Sequence, residues 1–153
     1  MQAEARLKER NITLPKPATP VANYVGAVRV GNLLFVSGHG PLHNDGKPSA
    51  RGKLGRDLSV DQGYQVAREV GLNVLATARA SLGSLDKVKR VVKVLGMVNS
   101  AEGFGDQPKV INGFSDLMVD VFGDAGKHAR SAVGMAELPM GIPVEIEMIL
   151  EVE

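Results

Sequence analysis

Two stretches of this chain carry an apolar stripe of helical period and alternate with five short β-prone runs, an order that limits the fold to one sheet with one helical layer. Ser59 with Gln62 fits the S-x-x-Q capping box, in which hydroxyl and amide satisfy each other's free backbone donors at a helix start. Val60, Tyr64, Ala67, Val70, Val74 and Ala78 then recur at threes and fours, so the spacing predicts a helix that runs to Gly83. Asp106 and Pro108 have the look of an N-cap and a first-turn proline. The helix they open has Val110, Ile111, Phe114, Leu117, Met118 and Val121 on its apolar side and ends near Gly123.

Around these helices lie the strand signals. Ala27–Val30 and Leu33–Gly38 flank Gly31-Asn32, a hairpin pattern. Lys87–Val98 is rich in valine, and Ser131–Ala136 and Val144–Val152 close the chain. The order strand, strand, helix, strand, helix, strand, strand predicts an α+β domain, a single sheet with two helices on one face. No third layer is left to cover the other face, so association through it is expected. Pro41 to Asp57, with Asn44-Asp45-Gly46 and Pro48, reads as an excursion of turns with room for one short edge strand. Residues 1–22 read as an N-terminal arm outside the core, a short amphipathic helix leading into the prolines at 15, 17 and 20, and residues 23–153 as the domain.

Composition narrows the function. Eighteen basic residues against 17 acidic ones give a formal charge of +1, without the excess that holds a protein on nucleic acid or anionic membrane. With four Phe, two Tyr and no Trp, there is little aromatic surface for base stacking. The absence of cysteine removes disulfides, thiolate nucleophiles and thiolate metal sites. No signal-peptide pattern and no apolar run of about eighteen residues occurs, so the expected location is the cytoplasm. No G-x-S-x-G elbow, P-loop or G-x-G-x-x-G is present, and Pro41 between His39 and His43 breaks the helix that would align them on a metal.

Three segments carry a family resemblance: Asn23 to Val28; Gly31-Asn32-Leu33-Leu34-Phe35-Val36-Ser37-Gly38; and Ala129-Arg130-Ser131-Ala132-Val133 through Leu138-Pro139 to Val144-Glu145-Ile146-Glu147. Together they resemble the Rid family (YjgF, reactive intermediate imine deaminase, also called endoribonuclease L-PSP). The C-terminal pattern A-R-S-x-V, L-P, V-E-I-E is its specific part. The resemblance implies a chorismate-mutase-like fold and a homotrimer with clefts between neighbouring subunits. It implies Arg130 as the anchor of a substrate carboxylate, Glu145 as the positioner of water, and Tyr24, Gly38 and Asn112 as further cleft residues. The chain departs from the family where Gly26 and His39 replace usual glutamines and where Leu42 to Arg56 is longer, differences that bear on substrate identity. The His39 position counts among the substrate-binding ones.

Residue chemistry agrees with these roles and leaves alternatives beside them. A guanidinium binds a carboxylate bidentately, although Arg130 could equally serve an ion pair at a surface or between subunits. Glu145 and Glu147 project from one face of a strand, where one of them can share a cleft with Arg130 and, kept ionised by it, hold a water; Glu147 fits a solvated face better. Tyr24 either meets the substrate or packs the arm onto the domain. Ser37-Gly38-His39-Gly40 either brings bare amides to a ligand or makes an ordinary turn. His128 either lines the same cleft as Arg130 or caps a turn.

The activity these features imply is hydrolysis of 2-enamino or 2-imino acids to 2-oxo acids and ammonia, with no cofactor, because the substrate supplies its own electrophile. The alternatives are a trimer that only binds small carboxylic acids and, with charge and aromatic content against it, an endoribonuclease.

Overall fold

A computed structural model describes residues 2–20 and 22–153, so Met1 and Val21 of the arm lie outside the described residues. In chain order the elements are α1 (Ala3–Glu9), β1 (Ala27–Val30), β2 (Leu33–His39), α2 (Val60–Leu82), β3 (Val88–Asn99), α3 (Gln107–Phe122), β4 (Ala129–Met135) and β5 (Val144–Val152). At the start of α2 the capping box is complete: Ser59 Oγ accepts from the Gln62 N–H at 3.2 Å, and Gln62 Oε1 accepts from the Ser59 N–H at 2.9 Å. The helix stops at Gly83, whose φ of 85° is a left-handed value that glycine adopts without penalty. Asp106 holds the N-cap position of α3 but makes no capping bond; its carboxylate pairs with Lys109 at 3.7 Å instead.

The five strands form one sheet in the order β1-β2-β5-β3-β4. All neighbours are antiparallel except β3 and β4, which are joined through α3 by the crossover that parallel strands require. Along β5, Val144, Ile146, Met148, Leu150 and Val152 turn inward and are buried, while Glu145 and Glu147 project from the opposite face. The core lies between this sheet and the pair α2 and α3. Those two helices touch almost backbone to backbone, because a Cβ on Gly113 would stand 2.0 Å from the Tyr64 carbonyl oxygen.

α2 and α3 cover the inner face of the sheet, and the arm's short helix α1 packs on α3. The arm also contributes to the core, contrary to its reading as an outlying segment: Ala3 and Leu7 of α1 are 6% and 3% exposed, and α1 packs on α3. The Glu4 N–H donates to the Asp86 carboxylate at 2.9 Å, and Arg79 grips the Glu4 carboxylate. The short amphipathic helix expected in the arm is present, and its burial against α3 is the part that local pattern does not show. In the excursion, residues 41–57 form isolated bridges (Leu42 with Pro48, Leu54 with Leu58 and Ser100) and no edge strand.

The outer face of the sheet is left open by the described residues. Phe35 and Val133 on it are 41% and 40% exposed, with Glu145 and Glu147 between them. No described helix is long and apolar enough to cross a membrane.

Candidate functional site

The structure puts the sequence-predicted residues in three places: Arg130 and Asn112 on the helical side of the sheet, Glu145 over Gly38 on the open face, and Tyr24 and His39 in a cavity beside α2. Arg130 lies on the edge strand β4, beside Val94, and its side chain turns to the helical layer. There Nη1 donates to Asn112 Oδ1 at 2.9 Å and to Ser115 Oγ at 3.1 Å. Asn112 and Ser115 stand three apart on α3 and so share a helix face. His128 lies at the foot of β4. Its Nδ1 is 2.7 Å from the Gly126 carbonyl and its Nε2 2.9 Å from Ser115 Oγ, and burial pushes its pKa below the usual histidine value. Its ring also meets the Phe114 ring edge-on at 6.4 Å. His128 thus caps the turn that ends at Gly126 and, through Ser115, also joins the cluster around Arg130.

Glu145 occupies the open face instead. Its carboxylate lies directly over Gly38, where a Cβ would come within 2.3 Å of Oε2. Glycine is thus the residue that lets the carboxylate rest against the bulge between Val36 and His39 of β2. Burial, reinforced by Glu147, pushes the Glu145 pKa above the ordinary carboxylate value. This corrects the expectation that a neighbouring arginine, Arg130, keeps Glu145 ionised. Within one chain that arginine is on the other face, and a carboxyl raised by burial is a stronger base than an ion-paired one.

Tyr24, Gly38 and His39 share a cavity of about 340 Å³ with Gly26, His43 and Asn73. Tyr24 is 50% exposed there. His39 is buried, and both of its ring nitrogens are engaged: Nδ1 with the Ser37 carbonyl at 2.6 Å and Nε2 with Thr77 Oγ1 at 2.7 Å. The carbonyl must accept, so Nδ1 carries the proton and Nε2 accepts from the threonine hydroxyl. Burial pushes the His39 pKa down, which favours this neutral ring. The same Thr77 stands so close to Gly26 that a Cβ there would lie 2.8 Å from its methyl group. Gly26 and His39, the two replacements of glutamine, thus meet around one threonine.

Sequence reasoning missed Ser115, Thr77 and Asn73. Ser115 had a signal, its three-residue spacing from Asn112; Thr77 and Asn73 had only their polarity within a long apolar helix. Among the described residues, no three His, Cys, Asp or Glu side chains gather as metal ligands.

Comparison with known proteins places this arrangement. The family described as "YjgF/chorismate_mutase-like, putative endoribonuclease" matches residues 4–148. Protein TCP17 of Trypanosoma cruzi is 46% identical over 148 residues, covering 96% of this chain and 92% of that protein. The 2-iminobutanoate/2-iminopropanoate deaminase of Dermatophagoides farinae is 32% identical over 145 residues, covering 95% and 98%. Among solved structures, the protein Atu1372 of Agrobacterium tumefaciens, described as of unknown function, superposes with a TM-score of 0.90 at 45% identity, covering 99% of this chain and 92% of that one. With the A-R-S-x-V signature on β4 and V-E-I-E on β5, the chain belongs to the YjgF/chorismate mutase-like, or Rid, family.

Proposed function

We propose that the protein is a cofactor-independent deaminase of short 2-enamino and 2-imino acids, acting as a homotrimer at clefts where one copy supplies Arg130 and its neighbour Glu145. The observation that carries this reading is the split site. An arginine held by neutral acceptors and a carboxyl raised by burial lie on opposite faces of one sheet, and only a second copy can bring such groups together. The open outer face provides the surface for it, and a relative 32% identical is named for deaminating 2-iminobutanoate and 2-iminopropanoate.

In the reaction, Arg130 holds the substrate carboxylate and Glu145 orients a water against the iminium carbon. As the new C–O bond forms, Glu145 takes one water proton and gives it to the nitrogen; the C–N bond then breaks to expel ammonia while the remaining hydroxyl proton passes to Glu145 and on to solvent, which leaves the 2-oxo acid. An enamine first gains a proton on carbon to become the iminium. The carbon is electrophilic already, so the protein supplies mainly position and one proton relay.

The test is ammonia release from enzymatically generated 2-iminopropanoate and 2-iminobutanoate, corrected for spontaneous hydrolysis. Glu145→Gln should lower turnover by about 10²- to 10⁴-fold with little loss of 2-oxo acid affinity, since its role is exercised in the transition state. A wild type no faster than the uncatalysed reaction would leave a carboxylate-binding trimer instead.

A further inference from the structure

Arg130 enters no ion pair among the described residues, and all its neighbours are neutral acceptors. Its five N–H donors can be followed one by one. Both protons of Nη1 are taken, by Asn112 Oδ1 and Ser115 Oγ. Nη2 has the Pro108 carbonyl at 3.5 Å, the outer limit of a hydrogen bond, and Nε has no partner among the described residues.

Ser115 is itself held in one direction. The Gly126 carbonyl can only accept, so His128 Nδ1 bears the ring proton and Nε2 is the bare acceptor. Ser115 therefore gives its hydroxyl proton to His128 and keeps its lone pairs for Arg130. The chain of donation runs from Arg130 to Ser115 to His128 to the Gly126 carbonyl, and every member has one role. Burial favours the neutral ring that this order needs.

With Nη1 saturated, the end-on fork made by the two amino groups is closed. The remaining fork is the side-on edge, Nε with Nη2, whose two N–H bonds run parallel. The protein shows that grip elsewhere: Arg79 holds the Glu4 carboxylate with Nε to Oε1 at 2.9 Å and Nη2 to Oε2 at 3.1 Å.

We propose that Ser115 and His128 are positioning residues of the Arg130 site: together with Asn112 they fix Nη1, present the Nε and Nη2 edge outward, and make the site select a planar carboxylate gripped side-on. This rests on the reading of Arg130 as the carboxylate anchor and adds which edge binds and which residues set it.

The experiment measures pyruvate binding by calorimetry on the intact protein, for wild type, Ser115→Ala, Ser115→Thr, His128→Phe, Arg130→Ala, Arg130→Lys and the double variant Ser115→Ala with Arg130→Lys. Circular dichroism and assembly mass check each fold first. Ser115→Ala and His128→Phe should each weaken binding by about 5-fold or more, the worth of one hydrogen bond. Ser115→Thr, which keeps the hydroxyl, should restore it. In imine hydrolysis the loss should fall on KM and spare kcat. In the Arg130→Lys background Ser115→Ala should change little, because an ammonium has no edge to orient. Equal losses in both backgrounds, or wild-type affinity in both Ser115→Ala and His128→Phe while Arg130→Ala loses binding, would overturn this inference and leave the anchor standing. Wild-type affinity in Arg130→Ala would overturn the anchor itself. If Ser115→Ala does not fold, His128→Phe decides alone.

Discussion

At the scale of single residues, Arg130 keeps different company from Arg79 and Arg10. Arg79 and Arg10 meet carboxylates, whereas Arg130 meets an amide, a hydroxyl and a distant carbonyl, so its charge is left for a ligand. Arg130→Ala should remove 2-oxo acid binding, a loss of roughly 2 to 5 kcal/mol for a buried charge-assisted pair, with the fold intact by circular dichroism. Arg130→Lys should also bind poorly, since a point charge does not reproduce the fork. His39 gives a prediction in pH. Its folded pKa is depressed, so the stability it supports is complete above the unfolded value of about 6.5 and is lost as pH falls below that toward the folded value. Glu145 has the opposite sign: its raised folded pKa means stability gained as pH falls toward the ordinary carboxylate range. His128, lowered by burial in the same way, keeps its own share of the slope, so urea unfolding between pH 7 and 5.5 should lose stability less steeply in His39→Gln than in the wild type. An unchanged slope in that variant would show that burial of His39 does not hold its ring neutral.

At the scale of elements, the sequence is legible wherever a signal repeats. The capping box at Ser59, the glycine-asparagine hairpin and the alternation along β5 each appear where their patterns place them, because each depends on neighbours close in sequence. What was not legible depends on partners far away. The burial of α1 is set by α3, and Thr77 matters only because β2 brings His39 to it across 38 positions. Arg130 and Glu145 could be named from their motifs, yet nothing local shows that β4 and β5 send them to opposite faces. The contact of α2 and α3 at Gly113 is another long-range demand, and it yields a sharp prediction. Gly113→Ala would place a methyl group against the Tyr64 carbonyl and should destabilise the fold by about 1 to 3 kcal/mol or more, although alanine is the better helix former. A chemical-denaturation midpoint at or above that of the wild type would contradict this packing.

At the scale of the whole molecule, the outer sheet face decides the assembly. Phe35, Val133 and the half-buried Leu95 and Ile149 leave apolar surface around Glu145 and Glu147 on this face, and the proposed trimer covers it. Sedimentation at micromolar concentration should give a mass near three times the 16.2 kDa of one chain; a single-chain mass would remove the proposed cleft together with the assembly. The placement of Arg130 and Glu145 on opposite faces has a genetic consequence as well. An allele with Arg130→Ala and an allele with Glu145→Gln should each be silent alone, yet complement one another when expressed together. Random mixing of their chains leaves about one cleft in four with both groups intact, so roughly a quarter of the wild-type activity should return. Neither allele could do this if the two groups served a cleft within a single chain.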